Sequence, residues 1–219
     1  METKDIFKSE TKYLMSITEP AQLRDVLTKE FMERSICFTG RSNVGKSSLI
    51  NKLFGKTIAR VSRTPGRTQA VNIFEFEIQG HEDKGPFYFF DLPGYGHAKV
   101  PKVMQRNWGE LLGLFFELLP PNRLIINIQD ARHPGQKSDL HFWEFASPKA
   151  NQTFLLFNKM DKLKNQKDRN QLNNQKEALF KKYKAAKQIH FVSAERGDGI
   201  EALVIALRSF LLTEEPPRS

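Results

Sequence analysis

The sequence predicts an α/β fold: a largely parallel, doubly wound sheet with helices on both faces. Short apolar runs that end in glycine or a polar residue alternate with longer segments of helical spacing, which is typical of successive strand–helix–strand units. The chain has 219 residues, 39% of them hydrophobic, so it can form one substantial core without disulfides or metal ions. Ligands of such sheets bind at the carboxyl ends of the strands, and we expect the functional residues there.

The N-terminal quarter of the chain predicts one strand and two helices. Residues 21–32, which follow Pro20, favour a short helix within an otherwise polar segment. Residues 36–39 are an apolar run stopped by Gly40, which predicts a buried strand. Residues 44–54 return to helical spacing, so a helix follows that strand directly.

An antiparallel hairpin and a long helix come next. Residues 71–78 alternate apolar and polar side chains, and a turn-like stretch separates them from a second apolar run at 86–91. Two such runs joined by a turn predict a hairpin. Residues 101–119 have the spacing of an amphipathic helix, which is ended by Pro120.

The C-terminal half repeats the alternation of strand and helix. Ser138 or Asp139 is expected near the N-cap of its first helix. The predicted strands are 124–128, 153–157 and 189–192, and the predicted helices are 138–146, a long polar and mostly helical stretch at 162–187, and a closing amphipathic segment at 200–212.

Composition excludes several classes of protein. The single cysteine, Cys37, leaves no disulfide framework and no cysteine-based zinc cluster. The longest strongly apolar stretch, residues 111–119, is far shorter than the roughly 20 residues of a membrane span. The charged N-terminus lacks the apolar core of a secretory signal, so we expect a cytoplasmic protein that does not enter a membrane. The net charge of +9 favours a polyanionic partner.

The first functional motif is Gly40-Arg41-Ser42-Asn43-Val44-Gly45-Lys46-Ser47, which has the spacing G-x-x-x-x-G-K-[ST] between a predicted strand and a predicted helix. That context is typical of a P-loop, in which backbone N–H groups and the helix N-terminus surround phosphates. Lys46 is expected to reach the β- and γ-phosphates, and the Ser47 hydroxyl is expected to bind Mg²⁺. The motif indicates a nucleoside triphosphate without specifying the base.

Two further segments supply an expected metal ligand and the expected nucleotide sensors. Asp91-Leu92-Pro93-Gly94 ends a buried strand, where a Walker-B carboxylate holds Mg²⁺ directly or through water. The backbone N–H of Gly94 is then placed to sense the γ-phosphate. Between this segment and the P-loop lies Thr64-Pro65-Gly66-Arg67-Thr68-Gln69. Thr64 and Thr68 both qualify by position as the switch threonine that gives Mg²⁺ a second protein oxygen.

A guanine site is predicted by Asn158-Lys159-Met160-Asp161, which follows a predicted strand. The Asp161 carboxylate can accept hydrogen bonds from N1–H and the 2-amino group of guanine, a pair of donors that adenine lacks. Asn158 is expected to bridge to the acceptor side of the base, and the Lys159 stem is expected to cover the ring. Val192-Ser193-Ala194 ends the next strand, where a backbone N–H can face guanine O6. Paired hydrogen bonds of this kind favour GTP over ATP. They therefore argue against a P-loop ATPase or a nucleotide kinase.

In this order and with these flanks, the motifs resemble those of the EngB/YsxC/YihA family of bacterial GTPases. The strings T-P-G-R-T-Q at 64–69 and D-L-P-G-Y-G at 91–96 are distinctive, and the resemblance covers about residues 10–212. It implies a monomeric GTPase that is needed for assembly of the large (50S) ribosomal subunit and for normal cell division.

The resemblance also implies a division of the chain and a fold. An N-terminal extension at 1–33 would precede a G domain at 34–213, and a flexible tail at 214–219 would follow it. The G domain would be a three-layer, Ras-like P-loop NTPase fold, with a mostly parallel six-stranded sheet, one antiparallel strand and helices on both faces.

The same resemblance assigns roles to individual residues. Mg²⁺ would be held by Ser47, Asp91 and, of the two switch threonines, Thr68, while Lys46, Thr68 and the N–H of Gly94 would act on the γ-phosphate. K⁺ is a candidate activator because Asn43 resembles the P-loop asparagine that helps related GTPases bind this ion. The nucleotide would be lined by Gly40, Arg41, Ser42, Asn43, Val44, Gly45, Lys46, Ser47, Gly66, Arg67, Thr68, Gln69, Ala70, Asp91, Leu92, Pro93, Gly94, Asn158, Lys159, Met160, Asp161, Val192, Ser193 and Ala194.

Four side chains near the switch segments bear on the rate of hydrolysis. Tyr95 stands where Ras-like enzymes place a glutamine that orients the attacking water. A phenol does not replace that carboxamide, so slow intrinsic hydrolysis is predicted, accelerated by the ribosomal particle or by a cation. Arg63 and Arg67 are either charges near the γ-phosphate or solvated switch residues. His97 is either a titrating group beside the second switch or a surface histidine.

The positive charge is concentrated in two segments. Residues 161–187 contain nine basic and three acidic side chains, and residues 55–69 contain four basic side chains and no acid. Such a run is either a solvated helix face or a surface for rRNA phosphates, and the family resemblance favours the second, with ribosomal proteins of the large subunit as further partners. The alternative function is a GTP-dependent RNA- or protein-binding module in which hydrolysis is incidental.

Overall fold

The structure is a computed structural model, and it describes residues 11–27, 35–55, 58–59, 70–96, 102–118, 123–150, 152–163, 165, 168, 170, 172 and 174–213. Within these ranges the chain forms one α/β sheet structure. The strands are β1 (Lys12–Ile17), β2 (Ser35–Gly40), β3 (Val71–Phe76), β4 (Phe87–Asp91), β5 (Arg123–Asp130), β6 (Gln152–Asn158) and β7 (Ala186–Phe191). The helices are α1 (Pro20–Leu27), α2 (Lys46–Phe54), α3 (Lys102–Leu118), α4 (Lys137–Ala146), α5 (Lys176–Lys182) and α6 (Ile200–Leu212).

The seven strands form a single sheet in the order β1-β3-β4-β2-β5-β6-β7. Strand β3 pairs antiparallel with β1 and β4, and the other neighbouring pairs are parallel. One strand therefore runs against the rest of the described sheet, as predicted. The carboxyl ends of β2, β4, β5, β6 and β7 share one edge, so the loops that follow them are brought together.

Helices cover both faces of this sheet because successive strand residues point to opposite sides. On one face, Ile36 and Phe38 of β2 pack with α2 and α6 through residues such as Leu49 and Leu207. On the other face, Cys37 packs with α1, α3 and α4, and a neighbouring cluster joins β6 and β7 to α4 and α5. The three-layer prediction is confirmed.

Cys37 has a packing role in the core. It lies fully buried as a free thiol in the central strand. Burial raises the pKa of the thiol to about 12, against the opposing influence of the nearby Arg123 guanidinium. The thiol is therefore protonated and unreactive at neutral pH.

The strand count exceeds the prediction of six because the N-terminal segment contributes an edge strand. β1 pairs with β3, and its register shifts between Tyr13 and Met15. That irregularity interrupts the alternation of buried and exposed side chains, and the ring of Tyr13 is 57% exposed. The pattern of the segment alone therefore gave no strand signal, and pairing with β3 determines its structure.

The polar stretch predicted to be mostly helical at 162–187 contains α5, which ends before Tyr183. The last two residues of that stretch, Ala186 and Lys187, belong to β7, so the helical prediction is wrong for them. Strand β7 begins at Ala186, three residues before its predicted start. Ile189 of this strand packs beside Leu155 of the neighbouring strand β6. The N-cap of α4 is Gln136, and Ser138 and Asp139 lie near it in the first turn of the helix. Within the described ranges, no helix has the length and apolar character needed to cross a bilayer.

Candidate nucleotide-binding site

The P-loop motif forms the turn between β2 and α2. Its backbone takes left-handed conformations at Asn43 (φ 64°) and Gly45 (φ 93°). A Cβ atom at Gly45 would lie 2.4 Å from Nδ2 of Asn158, and one at Gly40 would lie 2.7 Å from the Ile128 carbonyl oxygen. Glycine is therefore required at both positions. At Gly45 both the backbone conformation and the lack of space exclude a side chain, and at Gly40 the lack of space excludes it. The turn places the N-terminus of α2, with its unpaired N–H groups, at the loop.

Asp91 lies at the carboxyl end of β4 and contacts the P-loop lysine. Its carboxylate Oδ1 accepts from the ammonium of Lys46, and both side chains are largely buried, at 6% and 11% exposure. The register pairs Asp91 with Phe38 of β2, and the N–H of Leu92 donates to the Phe38 carbonyl at 3.0 Å. The parallel pairing of β2 and β4 thus determines that the Walker-B carboxylate lies beside the P-loop.

The donor set at this point fits Mg²⁺. Ser47, the second residue of α2, supplies a hydroxyl oxygen, and Asp91 supplies a carboxylate. Proteins usually bind Mg²⁺ through one or two such oxygens together with substrate phosphates, not through a cage made by the protein alone. Among the described residues, the strong partner of the buried Asp91 carboxylate is the Lys46 ammonium. This arrangement is compatible with exchange of the ammonium for a metal ion.

The segment after Asp91 lies against the P-loop. The Tyr95 N–H donates to the Gly40 carbonyl at 3.3 Å, and the Ser42 N–H donates to the Tyr95 carbonyl at 3.1 Å. A Cβ atom added to Gly94 would meet Ser42 Oγ at 2.7 Å. These contacts bring Gly94 to the phosphate-binding turn, as the sequence predicted.

The side chain of Tyr95 points away from that turn and into the core. Its ring stacks on Phe142 at 4.3 Å between centroids, and it is 3% exposed. The hydroxyl donates to Asp139 Oδ1 at 3.1 Å and accepts from Asn127 Nδ2 at 3.0 Å. Burial, followed by the nearby Asp139 carboxylate, raises the pKa of Tyr95 well above its usual value. The phenol is therefore an internal anchor of this segment.

Asn158 links two loops of the site through its side-chain amide. Its Nδ2 donates to the Val44 carbonyl at 3.0 Å, and its Oδ1 accepts from the Ala194 N–H at 3.0 Å. The side chain is buried, and both ends of the amide are occupied by backbone groups. Asn158 therefore joins the P-loop to the 192–194 loop, and its contact with the base stays a prediction.

Asp161 is held as an ionised acceptor. Its Oδ1 accepts from the Ser193 hydroxyl at 2.6 Å, and its Oδ2 lies 3.3 Å from the Lys162 ammonium. Burial on its own would raise the pKa of Asp161, but the hydrogen bonds from Ser193 and Lys162 lower it overall. The loop around it is fixed to β7 because the Met160 N–H donates to the Val192 carbonyl at 3.2 Å.

The structure thus brings together four of the five predicted segments: the P-loop, residues 91–94, and the paired loops at 158–161 and 192–194. Ala70 lies buried immediately before β3. Gly66, Arg67, Thr68 and Gln69 lie outside the described residues, as do Arg63, Thr64 and His97.

Sequence inspection missed three polar side chains at this edge: Asn127 and Asp130 of β5, and Arg132 just beyond it. Asp130 ends an apolar strand in the same way as Asp91, and this was the available signal. Asn127 is surrounded by apolar residues in the sequence, and its hydrogen bond to Tyr95 depends on the fold.

Comparisons with known proteins agree with this geometry. A family model described as "50S ribosome-binding GTPase" matches residues 35–159. The chain is 39% identical to the probable GTP-binding protein EngB of Prosthecochloris aestuarii over 176 residues, covering 80% of this chain and 86% of that protein. It is 36% identical to the protein of the same name from Mannheimia succiniciproducens over 202 residues, covering 90% and 94%.

Solved structures show the same fold. A crystal structure of a probable GTP-binding protein engB aligns with a TM-score of 0.59 and 25% identity, covering 81% of this chain and 98% of that one. A crystal structure of an Aquifex aeolicus Era variant bound to GDP·AlF4⁻ aligns with a TM-score of 0.68 and 24% identity, covering 86% of this chain and 60% of that one. The second similarity concerns the fold alone.

Proposed function

Because this chain belongs to the EngB family of P-loop GTPases, which hydrolyse GTP to GDP and phosphate, we propose that it is a Mg²⁺-dependent nucleotide switch in assembly of the large ribosomal subunit. Its intrinsic turnover is slow, and its action supports normal cell division. The observation that carries the proposal is the convergence of the P-loop, Asp91 and the Asn158–Asp161 loop at one sheet edge. The matched family model, with its description as a 50S ribosome-binding GTPase, supports the choice of partner.

The chemistry assigned to this site begins with an exchange of partners at Lys46. In the described geometry its ammonium contacts Asp91. On nucleotide binding, we propose that Lys46 turns to the β- and γ-phosphates and leaves the carboxylate available. Ser47, Asp91 and Thr68 would then hold Mg²⁺, which supplies neutralisation of phosphate charge when bound. The Gly94 N–H would donate to the γ-phosphate and so couple its presence to the 91–95 segment.

Guanine selection is assigned to Asp161. Its carboxylate is ionised and oriented by Ser193, so it can accept from N1–H and the 2-amino group of the base. Adenine would leave this partly buried acceptor without such donors, and that difference gives strong discrimination. The stem of Lys159 and the backbone of Val192-Ser193-Ala194 complete the base site in this proposal.

The slow rate is supported by the position of Tyr95. No carboxamide is placed at the residue after Gly94, and the phenol that stands there is bonded to Asn127 and Asp139 in the core. Orientation of the attacking water is therefore left to an external group, and we propose the ribosomal particle or a K⁺ ion near Asn43. Turnover that does not change when K⁺ replaces Na⁺ would exclude the ion.

A basic surface on α5, the following turn and the start of β7 supports an RNA partner. Its members are exposed lysines: Lys176, Lys181, Lys182, Lys184 and Lys187. Contacts from such a surface are mainly to phosphates and depend strongly on salt. The other basic segment of the sequence, 55–69, lies mostly outside the described residues.

We propose that the protein acts in the cytoplasm as a monomer, with the G domain spanning 34–213 and β1 of the preceding segment added to its sheet.

Depletion of the protein from the cells that make it tests this function. We expect incomplete large ribosomal particles to accumulate while small subunits remain normal, and we expect cells to divide late. Expression of the wild-type chain should restore the profile, whereas Lys46→Ala should not, because phosphate binding is lost. A normal sedimentation profile after depletion would contradict the proposal.

A binding module in which hydrolysis is incidental is the second candidate. The internal anchoring of Tyr95 favours it, because the side chain that follows Gly94 is directed into the core and away from the phosphate-binding turn. The two functions differ in whether particle binding changes between the GTP and GDP states.

A further inference from the structure

Asp130 lies beside the proposed base site because of the sheet register. It is the last residue of β5 and stands opposite Asn158 of β6, and the N–H of Ala131 donates to the Asn158 carbonyl at 2.8 Å. The strand pairing therefore places the Asp130 backbone next to Asn158, the residue that precedes Lys159. None of the motifs that identify the nucleotide site includes Asp130.

The carboxylate of Asp130 is bound on both oxygens. Its Oδ1 accepts from the Arg132 Nε at 2.9 Å and from the Arg132 backbone N–H at 3.0 Å. Its Oδ2 accepts from Arg132 Nη2 at 2.7 Å and from Lys159 Nζ at 3.0 Å. The residue is 5% exposed. Burial opposes ionisation, but the bonds from Arg132 and Lys159 lower the pKa of Asp130 far enough that it is fully charged at neutral pH.

Lys159 is the residue that this carboxylate holds. Its backbone is left-handed, with φ 69°, and its ammonium donates to the Asn43 carbonyl of the P-loop as well as to Asp130. The ammonium is thus fixed between two acceptors, one on the P-loop and one at the end of β5. The stem between them is the part of Lys159 assigned above to the face of the base.

A lysine side chain loses most of its rotamer freedom when it is fixed, and that loss opposes the ordering. Where that ordering precedes ligand binding, the ligand does not have to provide it. A single carbonyl acceptor leaves the Lys159 stem free to swing, whereas the charged second acceptor restricts it. Arg132 in turn keeps both oxygens of Asp130 in place, from a side chain that is 41% exposed.

We infer that Asp130 is a positioning residue for guanine nucleotides, which holds the Lys159 side chain across the base site before the nucleotide arrives. It acts on binding, not on the chemical step, so it affects GDP and GTP equally. This inference rests on the proposed placement of the base at residues 158–161.

The test is a double-mutant cycle read by nucleotide affinity. The dissociation constants of GDP and of a non-hydrolysable GTP analogue are measured with Mg²⁺ for the wild type, Asp130→Asn, Lys159→Ala and the double variant. Asp130→Asn should weaken both nucleotides about tenfold, as expected for removal of one charge-assisted hydrogen bond. The turnover number at saturating GTP should not change. In the Lys159→Ala background the same substitution should have no further effect.

Asp83→Asn is the matched control. It removes the same charge from an exposed turn between β3 and β4, at the end of β4 opposite to Asp91, and should leave both affinities unchanged. Arg132→Ala provides a second variant that keeps Asp130 itself, and it should give a smaller loss of affinity in the same direction. That loss should also vanish in the Lys159→Ala background, and this comparison replaces the first if Asp130→Asn folds poorly.

The outcomes separate the inference from the proposal on which it rests. Wild-type affinity in Asp130→Asn, or losses that multiply in the double variant, would overturn the positioning role alone. Unchanged affinity in Lys159→Ala would overturn the proposed base site and the positioning role with it. A lower turnover number in Asp130→Asn would show that Asp130 acts in catalysis, which would also contradict the inference.

Discussion

Asn158 donates a hydrogen bond of 3.0 Å from its side-chain Nδ2 to the backbone carbonyl of Val44. The other end of the same amide accepts from the Ala194 N–H at 3.0 Å. One side chain thus fastens the phosphate-binding turn to both loops of the proposed base site. The phosphate and base halves of the proposed site are therefore joined through one side chain.

This bridge predicts a large effect of Asn158→Ala on stability. The substitution leaves the buried Val44 carbonyl and the partly buried Ala194 N–H without this partner, and each buried group of this kind costs about 1–3 kcal/mol. We expect the free energy of unfolding, measured in urea, to fall by about 2–4 kcal/mol. Asn158→Thr keeps one hydroxyl that can serve as donor or acceptor and should lose less. Equal stability of the alanine variant and the wild type would contradict the bridge.

Gly45 is predicted to be intolerant of any side chain. Its φ of 93° is unfavourable for other residues, and a methyl group would collide with Asn158 Nδ2. We expect Gly45→Ala to destabilise the protein by at least about 1–2 kcal/mol and to reduce GDP affinity measured by calorimetry.

Gly109 provides the control for this substitution. It is exposed within α3, and an added methyl group meets no atom of the described chain within 4 Å. Gly109→Ala should stabilise the protein by about 0.5–1 kcal/mol because alanine favours a helix interior. A Gly45→Ala protein as stable as the wild type would show that the turn is not constrained as described.

Tyr95 is predicted to contribute to stability and not directly to hydrolysis. Tyr95→Phe removes the partner of Asp139 and Asn127 in the core, so the free energy of unfolding should fall by about 1–2 kcal/mol. Tyr95→Gln should not raise the turnover number, because this side chain is directed into the core and away from the phosphate turn. A Ras-like increase in single-turnover hydrolysis by the glutamine variant would contradict this orientation.

His190 predicts an acid dependence of stability. Burial, followed by repulsion from Lys176, lowers the pKa of His190 to about 4. As the pH falls from about 6.5, the unfolded chain takes up this proton first, so the free energy of unfolding should decrease towards pH 4. His190→Gln should reduce this slope, measured by urea unfolding at several pH values. His141→Gln, at an exposed position of α4, should leave the slope unchanged, and equal slopes in both variants would contradict the role of His190.

The motifs of the site were predictable because each is local. Gly40 to Ser47 must form a tight turn between strand and helix, and Asp91 must follow a buried strand, so spacing and flanking residues sufficed. The parallel sheet then determines that these loops meet. No assumption about distant side chains was needed for these residues.

The missed features depend on pairing between distant segments. Lys12–Ile17 becomes a strand only because β3 offers an edge, and its exposed Tyr13 conceals that state in the pattern. The chemistry of Asn158 predicts its contact with the base, but its hydrogen bonds to Val44 and Ala194 are identified only by the fold. The same applies to Asp130, whose link to Lys159 follows from strand register.

The charged surface on α5 gives the central claim a sharp control. Lys182 and Lys184 are exposed members of this surface. Lys12 is an exposed lysine of β1, at the opposite edge of the sheet, and Lys84 is an exposed lysine of the turn that precedes β4. Replacing either pair by glutamate changes the net charge equally. Only the first pair should weaken binding to ribosomal particles and reduce its salt dependence, by a slope of roughly 0.7–0.9 for each phosphate that is no longer neutralised.

The most direct measurement is co-sedimentation of the protein with large ribosomal particles, with a non-hydrolysable GTP analogue or with GDP, at two salt concentrations. If the protein is a nucleotide switch, the bound fraction differs between the two nucleotides at both salt concentrations, and higher salt lowers it. Equal binding in the two nucleotide states would contradict the switch and favour the module in which hydrolysis is incidental.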